Sequence, residues 1–106
     1  MIEEINCKAL KQKIDQKEEI VLLDVREPEE YEICNIQPST LIPLDLLPEK
    51  SKKLDKEKNY VIYCKMGGRS AQACAYLSEH GFKNVKNLTG GIRQWSMEID
   101  SSMELY

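Results

Sequence analysis

Hydrophobic positions along the chain alternate between two rhythms. Behind Asn6, a residue suited to a helix N-cap, Cys7, Leu10 and Ile14 recur at steps of three and four and predict a helix with one apolar face. Ile20-Val21-Leu22-Leu23-Asp24-Val25 is a continuous apolar run with Asp24 near its C-terminal end, as in strands of a buried parallel sheet. Pro28 suits the first turn of a short helix, with Glu29 and Glu30 at its positive end. Thr40-Leu41-Ile42 predicts a brief strand stopped by Pro43, and Glu49 to Asn59 is almost wholly polar. That stretch carries five lysines against Glu49, Asp55 and Glu57, and reads as a solvated helix and loop rather than a binding patch. Val61-Ile62-Tyr63-Cys64 predicts a further strand, followed by Lys65-Met66-Gly67-Gly68 and a helix from about Arg69 to His80 closed by Gly81. Val85 to Leu88 predicts a last strand, and Thr89-Gly90-Gly91 turns the chain into a helix bearing Ile92, Trp95, Ser96 and Ile99 on one side. Strands alternating with helices imply an α/β fold with a mostly parallel central sheet.

Length fits this pattern to one domain over residues 1–106, with no linker or internal repeat. Hydrophobic residues make up 42% and charged residues 31%, an ordinary globular composition. The net charge of −3 argues against nucleic acid as a partner, because phosphate binding needs a basic face. Apolar runs are far shorter than the ~20 residues of a membrane span. The acidic start, Met1-Ile2-Glu3-Glu4, lacks the pattern of a secretory signal, so a cytoplasmic location with reduced thiols is expected.

Four cysteines, Cys7, Cys34, Cys64 and Cys74, then need an explanation. No pair is spaced as C-x-x-C and His80 is the only histidine, so neither a zinc site nor a disulfide framework is indicated. Cys7 and Cys74 fall on apolar helix faces and read as core residues, whereas Cys34 precedes the polar Asn35 and stays open as an exposed thiol. Cys64 is different. It ends a buried strand, where open α/β sheets place their ligands. Gly67 and Gly68 let successive N–H groups converge, the next helix points its positive end at the same spot, and Lys65 and Arg69 add positive charge. These features favour a thiolate, hence a nucleophile with a depressed pKa. His80 lies ten residues beyond Ser70 on the same helix, about 15 Å further along its axis, so no general base of the papain type is at hand.

These residues resemble a single-domain rhodanese over nearly the whole chain. The resemblance rests on Leu23-Asp24-Val25-Arg26-Glu27-Pro28-Glu29-Glu30-Tyr31, on Cys64-Lys65-Met66-Gly67-Gly68-Arg69-Ser70 as the family's C-x-x-G-x-R-S loop, and on Leu88-Thr89-Gly90-Gly91-Ile92-Arg93-Gln94-Trp95. The ending from Trp95 to Tyr106 is similar to rhodanese domains fused to adenylyltransferases that act on ubiquitin-like sulfur carriers. Two stretches depart from the pattern: Cys34-Asn35 stands where the family usually has Gly-His, and Gln37-Pro38-Ser39 where it has Pro-Gly-Ala.

The resemblance implies a three-layer sandwich with helices on both sheet faces and a sulfurtransferase without metal or organic cofactor. Cys64 would be the nucleophile that carries a persulfide, and residues 65–70 (Lys65, Met66, Gly67, Gly68, Arg69 and Ser70) would form the substrate loop. Lys65 would steer an anionic donor such as thiosulfate, Met66 would set access, and Arg69 would either hold the loop or neutralise charge. Asp24 and Arg26 would support the rim. A cysteine desulfurase or a ubiquitin-like sulfur-carrier protein is the protein partner that the resemblance implies. Phosphatases and arsenate reductases of the same fold carry five residues between Cys and Arg, and the four here favour a terminal sulfur over a tetrahedral oxyanion. The competing readings are such an oxyanion enzyme and a non-catalytic or redox-sensing module.

Overall fold

The computed structural model describes residues 2–106. Its strands are β1 (Glu3–Ile5), β2 (Val21–Asp24), β3 (Thr40–Leu41), β4 (Asn59–Tyr63) and β5 (Asn84–Leu88). Its helices are α1 (Cys7–Asp15), α2 (Pro28–Ile33), α3 (Leu47–Lys50), α4 (Gly68–Glu79) and α5 (Gly91–Glu98). The strands form one sheet in the order β1-β5-β4-β2-β3, with every neighbouring pair parallel.

Local chemistry accounts for most boundaries. The Asn6 side-chain oxygen accepts the Ala9 N–H at 2.7 Å and starts α1. Ahead of α2, the Glu27 N–H donates to the Glu30 carboxylate at 2.9 Å as half of a reciprocal cap, and Pro28 occupies the first helical position. At the far end of α4, Gly81 takes φ +91° while the Phe82 N–H returns to the Leu77 carbonyl at 3.0 Å. There His80 stacks on Tyr76, centroid to centroid 3.9 Å.

Side-chain alternation along β4 divides the core. Tyr60, Ile62 and Cys64 pack with Ala73, Cys74 and Leu77 of α4 and with Leu47 of α3. Val61 and Tyr63 pack on the other face with Leu10 of α1 and with Ile92 and Trp95 of α5. The neighbouring strands β4 and β5 therefore send their following helices to opposite faces. That divergence opens a crevice at their carboxyl ends, the place where parallel sheets hold their ligands.

The structure departs from expectation in two elements. β1 was not anticipated: only Ile5 of its three residues is buried, so the segment has no apolar pattern of its own and becomes a strand by pairing with β5. The helix expected in the polar stretch is one turn, α3, between 3-10 turns at Leu44–Leu46 and Ser51–Lys53, and Leu47 anchors it in the core. No helix among the described residues is long and apolar enough to cross a membrane.

Candidate active site

Cys64 is the first residue after β4 and is 1% exposed. Gly67 takes φ +115°, a left-handed turn that a side chain would strain, and folds the loop back over the start of α4. The Cys64 sulfur consequently meets the Gly67 N–H at 3.1 Å, the Ser70 N–H at 3.4 Å and the Ser70 hydroxyl at 3.3 Å. Burial opposes charge on this sulfur. Hydrogen bonds from the Ser70 side chain and from the N–H groups of Ser70, Gly67 and Met66 outweigh it and hold the thiol below its ordinary pKa.

A second helix start clamps the loop from the other face. At the head of α5, the Ile92 N–H donates to the Cys64 carbonyl at 2.9 Å and the Arg93 N–H to the Lys65 carbonyl at 3.0 Å. Such close approach requires glycine at Gly91, where φ is +61° and an added Cβ would lie 2.4 Å from the Lys65 carbonyl oxygen.

The charges around the loop are more committed than the sequence suggested. Arg69 forms a forked pair with Glu30 of α2, at 2.6 and 2.9 Å, and so ties α4 to α2 instead of supplying a free charge to the sulfur. The Arg69 guanidinium in turn pulls the Glu30 carboxyl down to about 2. The Tyr106 hydroxyl donates to Glu30 at 2.7 Å and accepts from Arg26 at 2.8 Å, while the Lys65 ammonium rests over the Tyr106 ring, 4.5 Å from its centroid. Met66 is 59% exposed at the mouth, and a Cβ at Gly68 would meet nothing within 4 Å.

Asp24 and Arg26 were expected at the rim, and here the structure corrects the depth: both are wholly buried. Their carboxylate and guanidinium pair at 2.6 Å. The remaining Arg26 donors reach the carbonyls of Glu30 (3.3 Å) and Cys34 (2.6 Å) and the Tyr106 hydroxyl. A buried guanidinium is tolerable only when its donors are so occupied. The pair thus braces the α2 side from beneath, and reaches the loop through Glu30 and Arg69.

Among the other cysteines, burial pushes the Cys7 thiol up to about 11 and the Cys74 thiol to about 12, as core residues. Cys34 is half-buried and lines a cavity of about 250 Å³ together with Lys65, Met66, Ile92 and Tyr106. Three contributors escaped the sequence reading. Asn87 on β5 bonds Ser70 and the Gly67 carbonyl (3.2 Å), Glu30 holds Arg69, and Tyr106 links Arg26, Glu30 and Lys65. Only Asn87 left a sequence signal: it is polar but keeps step with Val85, an inward position of β5.

A parallel sheet whose central strand ends in a cysteine cradled by a helix start defines a class, and proteins similar in sequence and fold belong to it. Residues 6–98 match the rhodanese-like domain. The chain belongs to the rhodanese-like family. It is 46% identical over 97 residues to YtwF of Bacillus subtilis (strain 168), whose name provisionally assigns a sulfurtransferase, covering 92% of this chain and 93% of that protein. It is 38% identical over 96 residues to a sulfurtransferase of Allochromatium vinosum, covering 91% and 90%. Its fold superposes on a rhodanese-related protein from Thermoplasma volcanium with a TM-score of 0.83 at 38% identity, covering 92% and 93% of the two chains. A rhodanese-like domain protein from Staphylococcus aureus gives a TM-score of 0.85 at 30% identity, covering 99% of each. These relatives place the chain in a sulfurtransferase family.

Proposed function

We propose that the chain moves a sulfane sulfur in two steps through a persulfide on Cys64. The observation that carries this reading is the convergence of two backbone N–H groups and a hydroxyl on one buried sulfur at the end of a central strand. In the first step the Cys64 thiolate attacks the outer sulfur of thiosulfate or of a protein persulfide. The new S–S bond forms as the old one breaks, and sulfite or the donor thiolate leaves with the electron pair. The negative charge now sits on the outer sulfur, within reach of the loop N–H groups. In the second step a thiophilic acceptor attacks that outer sulfur, and Cys64 departs as thiolate, a good leaving group because its pKa is depressed.

Four residues between Cys64 and Arg69 leave a pocket suited to a terminal sulfur, so aryl phosphate hydrolysis is not expected. Lys65, which lines the cavity beside Met66 and lies over the Tyr106 ring, steers the anionic donor. For the acceptor, a ubiquitin-like sulfur carrier in a reducing cytoplasm is the favoured partner. The chain is 36% identical over 104 residues to the adenylyltransferase/sulfurtransferase MoeZ of Mycobacterium tuberculosis, though it spans only 26% of that longer protein. Steady-state assay with thiosulfate and cyanide tests the reading. Parallel double-reciprocal lines for thiocyanate formation are expected, with no turnover in Cys64→Ala. Full activity in that variant overturns it.

A further inference from the structure

The orientation of the Asn87 amide follows from its neighbours. This side chain is 4% exposed, and its nitrogen donates to the Gly67 carbonyl at 3.2 Å and to the Glu4 carboxylate of β1 at 3.2 Å. Turning the amide over would set its oxygen against a carbonyl and a carboxylate, neither of which can donate. The amide oxygen therefore faces the Ser70 hydroxyl, and the proton of that bond belongs to Ser70.

Ser70 has one hydroxyl proton, and its oxygen also lies 3.3 Å from the Cys64 sulfur. With Cys64 as a thiol the arithmetic closes: S–H donates to Ser70, and Ser70 donates to Asn87. No buried side-chain nitrogen or oxygen among the described residues is then left without a partner. Once the thiol proton departs to solvent, the arithmetic fails by one. Either the Ser70 proton swings to the sulfur and strands the Asn87 oxygen, or it stays and leaves an oxygen lone pair facing the anion.

We propose that Asn87 is a positioning residue that competes with Cys64 for the single hydroxyl proton of Ser70, and so limits how far the Cys64 thiolate is stabilised before sulfur is bound. In the persulfide the charge has moved to the outer sulfur, so the Ser70 proton returns to Asn87 and the conflict ends. This last consequence rests on the proposed sulfur transfer, whereas the competition itself does not. The remaining groups near Cys64 are already committed. On α4, Arg69 is held by Glu30 of α2, and Cys74 is kept neutral by burial. Lys65 lies over the Tyr106 ring, Asp24 of β2 is paired with Arg26, and Glu4 of β1 reaches the site through Asn87. From α5 comes a backbone N–H to the Cys64 carbonyl.

The test is the pH dependence of iodoacetamide alkylation, read on the Cys64 peptide by mass spectrometry so that Cys34 is scored apart. Asn87→Ala should lower the Cys64 midpoint, favouring thiolate by about three- to tenfold, the size of one ordinary hydrogen bond. Ser70→Ala should raise the midpoint, and adding Asn87→Ala to it should then change it less than about twofold, because the contested proton is gone. An unchanged or raised midpoint in Asn87→Ala, or an equal shift in both backgrounds, overturns the proposal. Should Asn87→Ala fail to fold, the Asn87 side-chain amide signals in nitrogen NMR decide instead. They should titrate with the Cys64 midpoint in the unmodified chain and stay nearly flat in Ser70→Ala, and equal titration in both contradicts the competition. None of these readouts needs a sulfur donor, so they stand or fall separately from the transfer activity.

Discussion

The junctions after β4 and β5 are built alike and do different things. Each ends a parallel strand, passes through a left-handed glycine (Gly67 at φ +115°, Gly90 at φ +79°) and starts a helix at the following glycine. The first junction is longer: residues 64–67 separate Tyr63 from Gly68, while Thr89 and Gly90 alone separate Leu88 from Gly91. The extra length lets the Cys64 side chain fold back over its own helix start, so the N–H groups of Gly67 and Ser70 meet sulfur. The shorter junction brings no side chain home, and the N–H groups of Ile92 and Arg93 go to the Cys64 and Lys65 carbonyls. A helix start needs partners for its first N–H groups. One junction supplies the sulfur of Cys64, the proposed nucleophile, as that partner and the other is capped by the backbone of Cys64 and Lys65, so the second fixes the frame of the first.

Removing the partner of the first junction should have the largest effect. Cys64→Ala is expected to abolish sulfur transfer while the melting temperature stays near that of the unmodified chain, as thermal denaturation would show. Attacking the second junction comes next. Gly91→Ala puts a Cβ 2.4 Å from the Lys65 carbonyl oxygen, and calorimetry should find a loss of roughly 1–3 kcal/mol, the scale of local backbone strain. Transfer should fall with it, by at least about tenfold, because a displaced loop misplaces the sulfur. If Gly91→Ala leaves both untouched, the clamp has no such role.

The pH profile comes third. Since the Cys64 pKa is depressed, the free enzyme's transfer rate should hold as pH falls below the ordinary thiol value of about 8.5 and decline only on passing the lower folded value. The same shift makes the thiolate stabilise the fold above the unfolded pKa, a contribution lost as pH falls through the folded one. A rate limb centred at or above the ordinary thiol value would show that the N–H groups do not hold the charge. The smallest effect is expected at Cys74, on the same helix but in the core. Its thiol is pushed up to about 12, so Cys74→Ala should leave turnover within about twofold and resist alkylation differences at neutral pH, at a cost near 1 kcal/mol for the lost packing.

Much of this was legible in the residues. The buried runs at 20–25 and 61–64 named the central strands, Asn6 and Pro28 named helix starts, and the glycines after Cys64 named the cradle. What stayed hidden depends on partners distant in sequence. β1 is a strand because β5 lies beside it, and nothing in Glu3-Glu4-Ile5 says so. Arg26 is expected at the rim of the site, yet Asp24, two carbonyls and Tyr106 together make its burial possible. Whether Arg69 holds the loop or neutralises charge stays open in the residues, because no local pattern pairs it with Glu30 across 39 positions. Asn87 sat at an inward position without an apparent partner until the fold brought Ser70 to it.

The central claim is that the β4–α4 junction makes Cys64, and no other cysteine of the chain, the carrier of sulfur. It is tested most directly by incubating the protein with thiosulfate and mapping the added mass by peptide mass spectrometry. The account predicts one additional sulfur on the Cys64 peptide, removed by cyanide, with the Cys7, Cys34 and Cys74 peptides unchanged. An unmodified Cys64 peptide, or sulfur accumulating on Cys34 instead, would contradict it.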